Sequence, residues 1–251
     1  VKKIDLNADL GEMDSSEGYA SDAAILAVVS SASIACGGHA GTPATMRRAV
    51  TEAKRHHVRI GAHPAYPDPD YFGRRSGFDI SLHDLSRSLT EQIVTLVEIA
   101  AEQGASVAYV KPHGALYNDA VNDSDLAQLI VHTVKSLDPN LALMGAPGSD
   151  LDRAAEASHL DFIPEGFIDR RYADNGHLVP RRQNGAVLAS DSERLTQMES
   201  LVRDGEVTTD TGGRITLACA TLCLHGDSPG AMTTAHAARA RLEALGYSVQ
   251  A

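Results

Sequence analysis

The sequence predicts an α/β barrel. Three observations carry that expectation. Short β-type runs alternate with helical segments, polar side chains recur on one face of those runs, and histidines gather where runs give way to loops. An open, doubly wound sheet has the same alternation. The polar face favours closure, because an open parallel sheet is covered by helices on both sides and leaves no place for repeated polar residues.

The first run, residues 2–9, puts Ile4, Leu6 and Ala8 on one face and Asp5, Asn7 and Asp9 on the other, since successive strand side chains point to opposite sides. Further β-type runs fall at 32–38, 58–63, 106–112, 141–146, 160–165 and 215–225. Helical patterns lie near 21–31, 43–57, 81–103, 123–137, 149–158, 191–204 and 229–245. Thr42 and Pro43 place a capping hydroxyl before a proline at the first helical position, and Asp123-Ser124-Asp125 supplies carboxylates where a helix dipole favours them. No composition break or linker divides the chain, so residues 1–251 read as one domain.

A chain of 251 residues that is 43% apolar can bury one sizeable core. With 22 basic and 33 acidic residues its net charge is −11, which disfavours non-specific binding to nucleic acid or an anionic membrane. An anionic ligand must therefore be held locally. Three cysteines without a CxxC arrangement provide no disulfide framework or zinc knuckle and fit a reducing cytoplasm. No apolar run approaches membrane-spanning length, and no basic-then-apolar leader opens the sequence. The expectation is a soluble, cytoplasmic protein.

Four histidines sit at expected strand exits: His39 in SIACGGHAG, His63 in IGAHPAYPD, His113 in YVKPHGALYN and His225 in LCLHGDSPG. Glycine or proline beside each suits a sharp turn into a loop. In α/β barrels and open sheets alike, this edge carries the site. Parity sharpens the picture. Gly61 and His63 lie opposite Ile60 and Ala62, and Lys111 and His113 share a face with Val107 and Tyr109. If the apolar face of the first run packs on helices, Asp5, Asn7, Asp9, His63, Lys111 and His113 converge inside, joined by Cys223 and His225.

Each residue also has an ordinary structural explanation. Asp5 and His159 read as hydrogen-bonded structural groups and stay outside the site. Asp9 differs, because Leu-Gly-Glu12 follows it and brings two carboxylates to one rim. A buried Lys111 needs a carboxylate partner or an anionic ligand. In the pairs Arg74-Arg75, Arg170-Arg171 and Arg181-Arg182, one member of each reads as a surface charge; Arg74 and Arg170 are kept as binding candidates.

The blocks NADLGE, IACGGHAG, GAHPAYPD, FGRR, VKPHGALYN, EGFIDRRY, LVPR and LHGDSPGA, in this order, resemble the LamB/YcsF family from residue 4 to about residue 235. The resemblance implies a seven-stranded barrel of the glycoside hydrolase/deacetylase type. It also implies ATP-coupled hydrolysis of 5-oxoproline to glutamate by a 5-oxoprolinase of several subunits, in which this chain acts with subunits B and C. The matching motifs add Glu165, Asp169 and Asp227 to the binding set. Departures from the family pattern are Ser33 for the usual Asn, CGGHAGTP with Gly38 and Thr42 for CGFHAGDP, and MDSSEG after Glu12 for Ser-Phe-Gly.

The expected catalytic residues are thus Asp9, Glu12, Lys111 and His113, with substrate held by Asn7, His39, His63, Arg74, Glu165, Asp169, Arg170, His225 and Asp227. A lactam is a resonance-stabilised amide whose ring recloses easily, so coupling to ATP makes physical sense. Asp9 or Glu12 is the expected general base, Lys111 and His113 the cationic stabilisers of an oxyanion, and an arginine the clamp for a substrate carboxylate. The chain lacks GxxxxGK[ST] and GxGxxG, so ATP falls to partner subunits or to a site without a familiar signature. Two alternatives stand beside this. One is a metal-dependent amidohydrolase or deacetylase, with a divalent ion on Asp9 and two of His39, His63, His113 and His225, although no HExxH or HxH element is present. The other is a non-catalytic substrate-binding subunit of a lactam-utilisation complex.

Overall fold

The protein is described by a computed structural model covering residues 2–225 and 230–251. Its first half runs β1 (Lys2–Leu10), α1 (Ser16–Leu26), β2 (Ser31–Ala35), α2 (Pro43–Arg55), β3 (Arg59–His63), α3 (Leu82–Glu102), β4 (Val107–Val110), α4 (Gly114–Asp119) and α5 (Ser124–Leu137). The second half continues with β5 (Ala142–Gly145), α6 (Asp150–Ala157), β6 (Phe162–Phe167), α7 (Asp191–Asp204), β7 (Glu206–Thr208), β8 (Arg214–Thr216), β9 (Thr221–His225), α8 (Ala231–Ala244) and β10 (Tyr247–Val249).

Strands β1, β2, β3, β4, β5, β6 and β9 pair in that order, all parallel, and β9 returns to β1 to close a seven-stranded barrel. In the closing register Asp5 faces Thr221 and Asp9 faces His225. β10 adds in parallel to the first residues of β1. Among the described residues, no helix is long and apolar enough to cross a membrane.

Helix boundaries follow local chemistry. Thr42 caps α2 reciprocally with Thr45, and Pro43 occupies the first turn. Asp123 accepts from the amides of Asp125 and Leu126 at the start of α5, and Ser190 forms a capping box with Glu193 before α7. On α3 the buried Leu85, Leu89, Ile93 and Leu96 form a stripe at helical spacing that packs on the barrel wall.

Several elements differ from the sequence reading. The helix expected from residue 21 starts at Ser16, because the Ser15 hydroxyl accepts from the Gly18 amide and nucleates it earlier. The run expected at 215–225 is two elements. Arg214–Thr216 pairs antiparallel with β7 outside the barrel, and only Thr221–His225 enters it. Its unbroken β-type composition conceals that division. The short helix α4 and the strand β10 carry too few residues to show a period.

Side chains sort as strand parity requires. Leu6, Ala8, Ile60, Ala62, Val110, Leu143, Leu222 and Leu224 face the helices in the main core. Inside the barrel, Tyr109, Ala142 and Met144 make an apolar floor, and the polar residues lie toward the C-terminal ends of the strands.

Candidate active site

Asp5 is structural, as expected. It accepts hydrogen bonds from Ser30 (2.6 Å), Ser31 (2.8 Å) and Thr221 (2.6 Å), which satisfies a buried carboxylate at the base of the barrel. Further up β1, Asn7 and Asp9 reach Lys111, the residue after β4. The ammonium lies 2.9 Å from Asp9 Oδ1, 2.7 Å from Glu165 Oε1, 3.3 Å from Asn7 Oδ1 and 3.2 Å from Cys223 Sγ. Asn7 ties the same network together by donating to Glu165 Oε1 (3.1 Å) and to Thr221 Oγ1 (2.8 Å). Lys111 is only 1% exposed, so its charge depends on these partners rather than on water.

The electrostatics follow from this packing. Burial works to raise the Asp9 pKa, but the His63 ring and the Lys111 ammonium outweigh it and hold the carboxyl well below its usual 3.8. Burial works to lower the Lys111 pKa, but Asp9, Cys223 and Glu165 outweigh it and hold the ammonium well above 10.5. An ion pair therefore persists deep in the barrel, with two carboxylates sharing one ammonium.

Three histidines form the other side of the site. His63 ends β3, and its Nε2 lies 3.3 Å from Asp9 Oδ2. His113 caps α4, and its ring stacks on His39 with centroids 3.5 Å apart. His39 in turn meets Glu12 Oε1 at 3.1 Å. Burial, together with the neighbouring His39 and His63 rings, pushes the His113 pKa well below 6.5. Burial lowers that of His39 too, against the pull of Glu12. The cationic part expected of His113 runs against this burial.

The ring contacts constrain the tautomers. His63 Nδ1 meets the Lys111 carbonyl at 2.7 Å and His113 Nε2 meets the Phe72 carbonyl at 3.0 Å, so both nitrogens carry protons. The remaining nitrogens, His63 Nε2 and His113 Nδ1, face each other at 3.0 Å. Two lone pairs cannot meet there unaided; a proton or a cation must lie between them. Ligand atoms of Asp9, His63 and His113 lie within 4.8 Å of one another, as do those of Glu12, His39 and His113.

Loop geometry holds this cluster. Phe72 and Gly73 both adopt left-handed backbone angles, φ 54° and 62°. A side chain at residue 73 would lie 2.8 Å from His39 Cβ and 3.1 Å from the His113 ring. Only glycine lets this loop close over both rings.

The other expected binding residues divide. His225 Nδ1 pairs with Asp169 at 2.8 Å across the mouth. Arg74 is exposed and stacks on Phe72 at 4.7 Å. Arg170, expected to contact substrate, is buried and donates to the carbonyls of Val179 (2.7 Å) and Ala186 (3.4 Å), so it staples the loop between β6 and α7. Asp227 lies outside the described residues.

Local packing also accounts for Ser33, Gly38 and Thr42 among the departures from the family pattern. Ser33 pairs with the Tyr109 hydroxyl at 3.1 Å. Thr42 is the α2 cap, a role an aspartate fills equally well. At Gly38 a Cβ would lie 2.4 Å from Gln92 Oε1, because Gln92 fills that space and binds both the amide and the carbonyl of Ala65 at 2.9 Å. Phe72 was missed by sequence reasoning, since its role rests on a carbonyl exposed by an unusual backbone angle. Phe167, a wall beneath Lys111 and His225, was missed because a lone aromatic reads as core.

The Asp169–His225 pair makes a pH prediction. Burial opposes both charges, yet each outweighs it for the other: the His225 pKa is raised above 6.5 and that of Asp169 lowered below 3.8. The His225 contribution is complete below 6.5 and lost as pH rises through its folded pKa; the Asp169 contribution is complete above 3.8 and lost as pH falls through its folded pKa. The difference in melting temperature between wild type and Asp169→Asn should therefore be greatest between these limits and shrink on the alkaline side. A flat difference from about pH 5 to pH 9 removes the pair as an ionic contact.

A model of the LamB/YcsF family matches residues 4–251. Proteins named as the A subunit of 5-oxoprolinase are 43% identical in Neisseria meningitidis, over the whole of both chains, and 45% identical in Haemophilus influenzae, over 91% of each. The crystal structure of a lactam utilization protein from Thermus thermophilus superposes with a TM-score of 0.91 at 37% identity, covering 99% of both chains. A family 4 carbohydrate esterase from Streptomyces lividans shares the fold, with a TM-score of 0.52 at 10% identity over 99% of this chain and 91% of that one. By a match that spans the barrel and every strand that builds its polar interior, this chain belongs to the LamB/YcsF family.

Proposed function

We propose that the chain is the A subunit of an ATP-dependent 5-oxoprolinase and opens the lactam of 5-oxoproline to give glutamate, with cleavage of ATP to ADP and phosphate. The observation that carries this is the Asp9–Lys111–Glu165 network buried at the C-terminal mouth of the barrel, in a chain with full-length relatives of that name. The amide oxygen takes the terminal phosphoryl group of ATP as ADP leaves, which makes the ring carbon electrophilic; water adds to that carbon, the ring C–N bond breaks with a proton passing to nitrogen, and hydrolysis of the resulting acyl phosphate gives glutamate and phosphate. Lys111 stabilises the negative charge on the phosphorylated oxygen. Asp9, held ionised, accepts the proton of the attacking water, and Glu12 at the rim is the alternative base. Arg74, at the mouth, holds the substrate carboxylate, and the neutral His113 keeps the His39 and His63 rings in place.

Subunits B and C complete the activity, and ATP is handled by those subunits or by a site without a familiar signature, in keeping with the missing phosphate-loop motif. The test is release of ADP and glutamate from 5-oxoproline by the purified chain, alone and with those two subunits. Turnover is expected only in the full set. A complex that keeps turnover after loss of the Asp9–Lys111 network reduces the chain to a non-catalytic binding subunit.

A second reading has its own observation, the facing nitrogens of His63 and His113 beside Asp9 Oδ2. This donor set fits a divalent cation held by Asp9, His63 and His113. Such an ion polarises a carbonyl and lowers the pKa of bound water. Protein exposed to zinc or manganese should then retain about one equivalent after desalting, melt lower after chelation, and lose retention in His63→Asn. Full turnover by a metal-free preparation eliminates this reading.

A further inference from the structure

The Asp9–Lys111–Glu165 network leaves over two buried polar atoms that bond to nothing among the described residues, the Tyr117 hydroxyl and Glu165 Oε2. Tyr117 is 5% exposed and Glu165 1%. An unpaired buried hydroxyl or carboxylate oxygen is unfavourable, and native proteins rarely leave one without a reason. Here there are two, on residues joined through the Phe167 ring, which neighbours both Tyr117 and the Lys111 ammonium that binds Glu165.

Lys111 and Asn7 both donate to Glu165 Oε1, which leaves Oε2 as an acceptor. Burial, reinforced by the Glu165 charge, pushes the Tyr117 pKa well above 10, so the hydroxyl keeps its proton and is a donor. Phe167 is their shared apolar neighbour. The Tyr117 ring meets it edge-on at 5.7 Å, and Lys111 Nζ stands 5.5 Å from its centroid.

We propose that the Tyr117 hydroxyl and Glu165 Oε2 form a donor–acceptor pair that reads the amide edge of a cyclic amide, with the Phe167 face packing the ring carbons. Open-chain secondary amides are trans, with N–H and C=O on opposite sides. A five-membered lactam is locked cis, and both groups share one edge. Tyr117 donates to the carbonyl oxygen while Glu165 Oε2 accepts from the ring N–H. The pair is thus a specificity device that selects the ring over the chain. It rests on the cyclic-amide reading above and assigns Tyr117 to substrate contact.

The test is calorimetric binding of 5-oxoproline and of its open-chain counterpart N-acetylglycine to the full chain, as wild type and as Tyr117→Phe, repeated with the partner subunits present. Wild type should prefer 5-oxoproline by about tenfold or more, since a site built to hydrogen-bond a group rejects an analogue that cannot satisfy it. Tyr117→Phe should lose about tenfold in 5-oxoproline affinity, leave N-acetylglycine unchanged, and melt no lower than wild type, because the hydroxyl removed had no partner. Unchanged ring preference in the variant overturns the pair while leaving the 5-oxoproline reading intact. A lower melting temperature with equal weakening of both ligands makes Tyr117 structural and also overturns it. Failure of wild type to bind 5-oxoproline, alone or in the complex, removes the reading beneath it and the pair together.

Discussion

Lys111→Met is expected to abolish turnover and to lower stability by roughly 3–5 kcal/mol at neutral pH, the usual result of stranding a buried charge. The methionine fills similar volume, so the effect isolates the ammonium. Without it, Asp9 and Glu165, which sat 2.9 Å and 2.7 Å from Nζ, face each other across a dry interior. Two like charges so placed raise the pKa of at least one of them above its unfolded value. A group with a raised folded pKa favours folding below its unfolded pKa and loses that contribution as pH rises. The gap in melting temperature between wild type and variant should therefore narrow from about pH 7.5 to about pH 5. A gap that stays constant or widens on acidification would falsify the shared-ammonium arrangement.

Asp9→Asn separates chemistry from architecture. The substitution preserves size and most hydrogen bonds, so on the proposed mechanism, with Asp9 as the base, turnover should fall by roughly 10²–10⁴. Stability should fall by less than the roughly 3–5 kcal/mol typical of a broken buried pair, because Lys111 keeps Glu165 at 2.7 Å. Substrate affinity should change little. Thermal unfolding and steady-state kinetics on one preparation, with the partner subunits present, decide the matter. Near-normal turnover transfers the base role to Glu12, and a large loss of stability with proportionate loss of activity makes Asp9 a structural anchor.

Much of the barrel was legible because parity is a local property. Asp5, Asn7 and Asp9 alternate with buried apolar residues within one strand, and that alternation alone places them inside. Lys111 was legible for the same reason. Glu165 was not, since Pro164 interrupts its strand and only the motif around it signalled a role. Arg170 was misread because a buried guanidinium that binds backbone carbonyls and one that binds an anion look identical in sequence. The stacking of His39 on His113 and the turn at Phe72 depend on left-handed backbone angles in a loop, which side-chain patterns do not encode. The antiparallel hairpin of β7 and β8 was hidden for a related reason: its residues have strand character, and only the third dimension decides which sheet they join.

Closure of the barrel by β9 on β1 has a consequence for biosynthesis. The Thr221 hydroxyl that seals Asp5 lies 216 residues further along the chain, so at ordinary translation speeds the first strand waits roughly 10–40 s for its last neighbour to leave the ribosome. Until then β1 and β6 are open edges able to pair with other nascent strands, and Lys111 lacks the Cys223 side of its cage. Ribosome-stalled chains ending just before β9 should therefore recruit chaperones and be inactive, and extension through β9 should bring protease resistance and assembly competence together.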